Sequence, residues 1–377
     1  MLSYWQKQFF SHKLDIAIVG GGLNGLLTAI FLKKDQPNLR IAIFEKGFLP
    51  DGASLRNAGF ACFGSVSELN DDLRFSPLDE VLQLVKNRYE GLQLLRQLCG
   101  STEIGYEASG GYEFFTPLDD NFYRESAEKI PFWNQALSDI IPLKNVFRVY
   151  DGNPQQIGLP SGAKLILNPH EGALHSNLLL QRLHQLAMHF EIPLYFGFDY
   201  KSHSGHADKV EICFKNEINL YAKRLLFCTN GYLTLHEKVD MKPARGQVLI
   251  TEPIKDLKLK GVFHHQSGYN YFRELDGRIL LGGGRFLDPE GETDNEHRLH
   301  EKIQDYLEGL LYSFLLPDTT VKIERRWAGI MSFGKSKKPL ITQIEDKVWF
   351  AGRMGGMGVA LAASTAQKAA QMLKESF

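Results

Sequence analysis

Apolar positions along this chain follow two periods, and glycine stands where one gives way to the other. Residues 15–19 (DIAIV) are a continuous β-branched run, the pattern of a strand buried in a parallel sheet. Residues 26–34 (LLTAIFLKK) have helical character, Pro37-Asn38 breaks it, and 40–44 form a second apolar run ending at Glu45. Helical spacing returns over 78–99 and 174–190. Strand-like runs are predicted at 194–198, 210–214 and 224–229, and alternation at 110–116 (GGYEFFT) and 248–253 (VLITEP). The polar stretch 201–208 (KSHSGHAD) reads as a hairpin tip. Near the C-terminus a strand at 347–351 leads through glycines into a helix of small residues, 359–373. No internal repeat or low-complexity tract interrupts this order, which is that of an α/β protein with parallel strands.

The first strand runs into Gly20-Gly21-Gly22-Leu23-Asn24-Gly25. Gly20, Gly22 and Gly25 have G-x-G-x-x-G spacing. The first allows a tight turn, the second lets backbone approach a pyrophosphate, and the third lets helix and strand pack closely. The helix N-terminus offers free N–H groups and partial positive charge to phosphates. Glu45 follows Gly25 by twenty residues, where a carboxylate accepts hydrogen bonds from ribose hydroxyls. Glu45 argues against a 2′-phosphate but leaves NAD and FAD both open.

Two further segments favour FAD. Residues 51–67 (DGASLRNAGFACFGSVS) are rich in Gly, Ala and Ser and follow the second strand directly, as expected of a loop running close under a flat ligand. Gly352, Gly355, Gly356, Met357 and Gly358 form a second turn between strand and helix. Such a turn aims a helix N-terminus at a flavin, where it stabilises negative charge that builds on reduction.

The 377 residues predict about two domains at roughly 150 each. Hydrophobic residues make up 44% and charged residues 23%, which excludes a disordered or collagen-like chain. The net charge of -1 gives no global field to attract nucleic acid or an anionic membrane. No apolar run reaches the ~18 residues of a membrane span. The N-terminus lacks a continuous apolar signal region, so the cytoplasm is the expected location. Aromatics at Trp5, Phe9 and Phe10 predict a short docked helix there. Cys62, Cys99, Cys213 and Cys228 include no C-x-x-C and no His at zinc-finger spacing, so neither disulfides nor a metal are expected.

GGGLNG, Glu45, GASLRNAGF and AGRMGGMGVALA, in this order, resemble the D-amino-acid oxidase family of FAD-dependent oxidoreductases, the group that includes glycine oxidase, sarcosine oxidase and γ-glutamylputrescine oxidase. RGQVLITEP (245–253), YNYFRELDGRILLGGG (269–284) and RRWAGIMSF (325–333) extend the resemblance over most of the chain. It implies a Rossmann-type FAD-binding domain of residues 1–75, 169–236 and 325–377. A mixed-sheet substrate domain, 76–168 and 237–324, would complete a discontinuous fold. As contacts of a non-covalent FAD it implies Leu23, Asn24, Lys46, Ser54, Arg56, Asn57, Ala58, Gly59, Phe60, Gly231 and Arg326, beside the glycines and Glu45.

The resemblance also implies oxidation of a C–N bond in a small amine or amino acid, with hydride transfer to flavin N5 and oxygen as acceptor. Tyr271, Arg273, Arg245, Trp327 and Met331 are then the substrate-site candidates, Arg273 and Arg245 as anion clamps. Met331 stands where members that hold an α-carboxylate often carry Arg, which favours an amine whose acidic group is distant or absent. Leu280 falls where sarcosine oxidases place an oxygen-activating lysine, so another electron acceptor stays open. Two alternatives remain: a 2-hydroxy-acid enzyme with His264 or His265 as base, and a flavin-bound subunit without turnover.

Overall fold

The structure, a computed structural model, describes residues 3–5, 13–233, 236–317 and 321–377. Phe9 and Phe10 lie outside the described residues, so the docked helix expected there does too; Trp5 is exposed. The chain forms two compact units. The first takes the described residues through Leu55, then Asn177–Pro243 and Met331–Phe377; the second takes Arg56–Ser176 and Ala244–Ile330. Residues 56–75, 169–176 and 325–330 thus fall in the second unit and 237–243 in the first; the 56–60 loop is hydrogen-bonded to Arg273 and Trp327 of the second unit's sheet.

The first unit is built on a sheet of eight strands among the described residues. Its main path runs Leu340–Glu345, Val348–Gly352, Asn219–Phe227, Leu14–Val19, Ile41–Glu45, Leu194–Phe196. All these pairings are parallel except that of the first two strands. The central strands are buried along their length, as their unbroken apolar runs require. Helix Leu23–Asp35 lies along helix Gly358–Glu375, whose buried Ala360, Ala362, Ala363, Ala366 and Ala369 permit close approach. The polar stretch at 201–208 is a hairpin tip only at its end: Tyr200–Gly205 is itself a strand, antiparallel to Val210–Phe214.

The second unit carries the sheet order Ile323–Phe333, Lys242–Thr251, Arg278–Gly283, Asn270–Leu275, Val262–His265, Gly111–Phe115, Lys164–Asn168, Arg148–Val149. Asp276-Gly277, both with positive φ, close the tight hairpin between 275 and 278. One sheet face is apolar: Tyr112, Phe114, Leu249, Phe263, Phe272 and Leu281 pack beneath helix Glu301–Leu310 through Ile303 and Leu307. Strand alternation sends the intervening residues to the other face, and there the chemistry changes.

Candidate functional site

In the first unit, parallel register sets Val19 beside Phe44, so Gly20 meets the end of the strand that carries Glu45. Gly20 has φ +112°, and a Cβ on it would meet the Cys228 carbonyl oxygen at 2.7 Å. A Cβ on Gly25 would meet the Gly20 carbonyl oxygen at 2.0 Å, so helix and turn close together only over glycine. Glu45 accepts hydrogen bonds from the N–H of Gly21 (2.8 Å) and Gly47 (3.2 Å), which seats its buried carboxylate under the turn. Ser54 Oγ accepts from the Leu23 N–H at 3.0 Å. A Cβ on Gly22 would meet that same Oγ at 2.7 Å. The cradle therefore holds a hydroxyl, first-turn N–H groups and no side chain from residues 20–22. These groups suit a pyrophosphate, and the Glu45 carboxylate suits a ribose.

Asn24 also ties elements of the first unit together. Its amide donates to the Ala351 carbonyl (2.8 Å) and reaches Cys228 Sγ (3.5 Å), tying the first helix to neighbouring strands. Lys46 is exposed and stacks its ammonium 4.2 Å from the Tyr232 ring centroid, next to Gly231.

The second glycine turn follows strand Val348–Gly352. Arg353 and Gly355 adopt φ +58° and +54°, and helix Gly358–Glu375 starts after Met357. Asn230 Oδ1 accepts from the Arg353 N–H (3.0 Å) and from Ser332 Oγ (2.5 Å), while the Gly355 N–H donates to the Ser332 carbonyl. The buried Arg353 guanidinium donates to the Asp240 carboxylate and to carbonyls of Asp240 and Lys338. Met331 lies beside this turn, its Sδ 3.9 Å from a Cβ placed on Gly356. Asn230, Ser332 and Arg353 shape the turn, and none is among the sequence-based candidates. The Asn-Gly pair closing a strand is the one signal that marks Asn230.

In the second unit, register places Tyr271 opposite His264 and Gly282, and Arg273 opposite Val262 and Leu280. These residues share the face away from helix Glu301–Leu310. Phe60 meets the rings of Tyr271 and His264 edge-on, and apolar surroundings push the Tyr271 phenol up to about 12. The 56–60 loop is fastened here. Trp327 Nε1 donates to the Arg56 carbonyl (3.0 Å), and Arg56 donates to the Ala328 carbonyl (3.1 Å). Asn57 Oδ1 accepts from the Gly59 N–H and the Ser176 hydroxyl. Trp327, Ala58 and Leu280 pack in one apolar cluster.

Three of the four arginines singled out from sequence are held by other protein groups. Arg273 is buried and donates from Nε and Nη1 to the carbonyls of Ala58, Gly59, Leu174 and Glu274, which fastens the loop. Arg245 shares the phase of Gln247 and Leu249 and so faces the helix-covered side. It is buried against Glu292, with further bonds to Asp294 and to the carbonyls of Gly291 and Glu296. Arg326 donates to Gln304 and Glu308 of the covering helix. Strand periodicity separates these last two from Tyr271, and their acidic partners, distant in sequence, give no local signal.

The histidines are also clarified. Burial pushes His264 down to about 4, so it is neutral and a weak base. His265 lies on the opposite face against Phe114 and 3.4 Å from Asp119.

Glu113, opposite His264, is buried and bonded to the Ser67 N–H and hydroxyl; desolvation outweighs those bonds and pushes its carboxyl up to about 7. The folded state therefore binds this proton more tightly than the unfolded chain, whose carboxyl titrates near 4.5. The stabilisation is complete below that value and is lost as pH rises towards 7, at about 1.4 kcal/mol per pH unit for one group. Urea midpoints should fall between pH 5 and 7; Glu171, which burial also pushes up to about 7, contributes over the same range, so Glu113→Gln should reduce that slope by about half, and an equally steep slope in the variant would exclude Glu113 as a source.

Comparison with known proteins accords with this geometry. The chain is 20% identical over 373 residues to a probable oxidoreductase, OrdL, of Haemophilus influenzae, covering 92% of this chain and 80% of that one. The fold is similar to L-proline dehydrogenase from P. horikoshii (TM-score 0.75, 15% identity, 97% and 94% of the two chains). It is similar also to glycine oxidase from Bacillus cereus (TM-score 0.75, 19% identity, 97% and 96%). The model of the FAD dependent oxidoreductase family, DAO, matches residues 15–372. With both glycine turns, the seated Glu45 and this match over nearly its whole length, the chain belongs to the DAO family of FAD-dependent oxidoreductases.

Proposed function

We propose that this chain oxidises a C–N bond of a small amine or amino acid, with an amine that lacks a nearby carboxylate as the favoured substrate. The observation that carries this preference is the commitment of the arginines. Arg245 spends Nε, Nη1 and Nη2 on the protein itself, Arg273 its Nε and Nη1, and Arg326 its Nη1 and Nη2, while Met331 offers no charge. None of these four residues presents a two-donor edge clear of protein bonds with which to hold an α-carboxylate. L-proline dehydrogenase and glycine oxidase, whose names point to amino-acid substrates, support the reaction class.

The bound FAD, held non-covalently, would supply the hydride acceptor at N5, leaving an imine that water hydrolyses. Gly20, Gly22, Leu23 and Ser54 would hold its pyrophosphate and Glu45 its ribose. The turn of Gly352, Gly355, Gly356 and Gly358, braced by Asn230 and Arg353, would direct the C-terminal helix N-terminus to the isoalloxazine. Tyr271 and Trp327 would contribute aromatic walls of the substrate pocket, and the neutral Tyr271 phenol a hydrogen-bond donor. Oxidation of a 2-hydroxy acid is disfavoured, since His264 at about 4 is too weak a base for an alcohol proton. Oxygen is the proposed acceptor.

The test is an anaerobic titration of the yellow protein with amines, amino acids and hydroxy acids. Bleaching by an amine at lower concentration than by its α-carboxylated counterpart is expected, with fast recolouring in air. Slow recolouring would indicate a carrier as acceptor. Bleaching by hydroxy acids alone, or by nothing, would overturn the proposal, the second outcome favouring a subunit without turnover.

A further inference from the structure

At the face of the second unit's sheet away from helix Glu301–Leu310, three side chains of different chemistry converge. Cys62, Glu171 and His264 are all buried, and one ligand atom from each lies within 4.8 Å of the other two. Some point between them is then within about 2.8 Å of all three, close to the 2.0–2.3 Å of zinc bonds to oxygen, nitrogen and sulfur. Nε2 of His264 is fully buried and has no hydrogen-bond partner. An orphaned buried nitrogen is costly, and a metal ion is one of the few partners that would relieve it.

We propose that Cys62, Glu171 and His264 form a binding site for a zinc-like divalent cation, with water as fourth ligand. Thiolate, carboxylate and imidazole together suit zinc rather than magnesium or calcium, which take oxygen ligands. One dication with two anionic ligands is neutral, so burial costs the complex less than it costs the separate charges.

The surroundings are already arranged around these ligands. Glu171 is oriented by the N–H groups of Phe63 (2.6 Å) and Gly64 (3.0 Å). Its Oε2 occupies space that a Cβ on Gly111 would enter at 2.0 Å. His264 has Glu113 opposite it, and the Glu68–Arg88 ion pair adds charge of both signs among the described residues of this unit. A thiol binds metal as its thiolate, so binding releases the Cys62 proton. The ligands come from three segments far apart in sequence, which is why no motif spacing marks the site and why no metal was expected from the sequence.

The experiment uses the FAD-loaded protein, stripped with a chelator, desalted under reducing conditions and titrated with zinc chloride against a chromophoric chelator. One zinc per chain at sub-micromolar dissociation constant is expected, with proton release visible as a buffer-dependent binding enthalpy. Cys62→Ser and His264→Gln should each weaken binding at least about a hundredfold with flavin content retained, while Cys99→Ser, at another buried thiol, should not. Absence of zinc binding by the wild type, or equal affinity in both flavin-loaded variants, would overturn the site. If either variant fails to fold, cobalt(II) on the wild type decides. A thiolate-to-cobalt band with d–d absorption to the red of the flavin supports the site, and its absence refutes it.

Discussion

Gly22→Ala should yield a folded protein that loses its flavin, whereas Gly25→Ala should not fold stably. The two glycines sit three residues apart in one turn, yet a methyl group meets different obstacles at each. At Gly25 it would lie 2.0 Å from the carbonyl oxygen of Gly20, an atom fixed by the strand and unable to turn aside. Helix and strand must separate, at a cost of roughly 3 kcal/mol or more, a large share of the 5–15 kcal/mol that holds a typical protein folded. At Gly22 the obstacle is Ser54 Oγ at 2.7 Å, the end of a short side chain that can rotate. Gly22 also has φ −79°, which alanine adopts freely. The structural cost is then about 1 kcal/mol, that of the lost bond to the Leu23 N–H. The new methyl would instead stand where the pyrophosphate approaches, and FAD affinity should fall about a hundredfold, or some 2.7 kcal/mol. Thermal melts and the flavin-to-protein ratio after gel filtration read both effects. A Gly22→Ala protein that retained stoichiometric FAD would remove the pyrophosphate from this turn.

The second large effect is expected at Arg245. Its guanidinium is buried against Glu292, and removal of one partner leaves the other charged in a dry environment. Arg245→Ala should lower stability by about 3–5 kcal/mol. Replacing both members, Arg245→Met with Glu292→Leu, should recover most of that loss, because no fully buried charge is left alone and Asp294 keeps its pairing with Arg298. A substrate clamp behaves otherwise: its removal raises KM and leaves the urea midpoint nearly unchanged, and the double replacement restores nothing. An unchanged urea midpoint in Arg245→Ala would return this residue to the substrate site.

The contrast between these positions marks what a sequence can disclose. The first glycine turn was readable because each part is local: a buried strand, glycines at fixed spacing, a helix, and an acid at the end of the next strand. Helix Leu78–Cys99 is readable from its apolar spacing. Tyr271 and Arg273 were rightly placed on one face, since alternation needs only the strand itself. Arg245 was misjudged because its role depends on Glu292, in a loop with no pattern of its own, and on the register that turns it towards the covering helix. The loop expected over 51–67 runs into the start of helix Val66–Asp72, which the small residues before it conceal although Ser65 and Glu68 have capping-box spacing. Asn230 and Arg353 became meaningful only when strands distant in sequence brought their turns together.

The order of strands in the first unit has a consequence for how the protein is made. Leu14–Val19 leaves the ribosome early, but its partner Asn219–Phe227 follows some two hundred residues later. At about 5–20 residues per second, the nascent strand waits on the order of 10–40 s with one edge unpaired. Val348–Gly352 and the helix that covers Leu23–Asp35 arrive later still. Arg56–Ser176, by contrast, emerges as one uninterrupted stretch of the second unit. The cradle for the dinucleotide is thus begun first and finished last. During synthesis its apolar edge strands are the segments most in need of a chaperone, and ribosome-stalled chains ending before residue 340 should be the ones that chaperones retain.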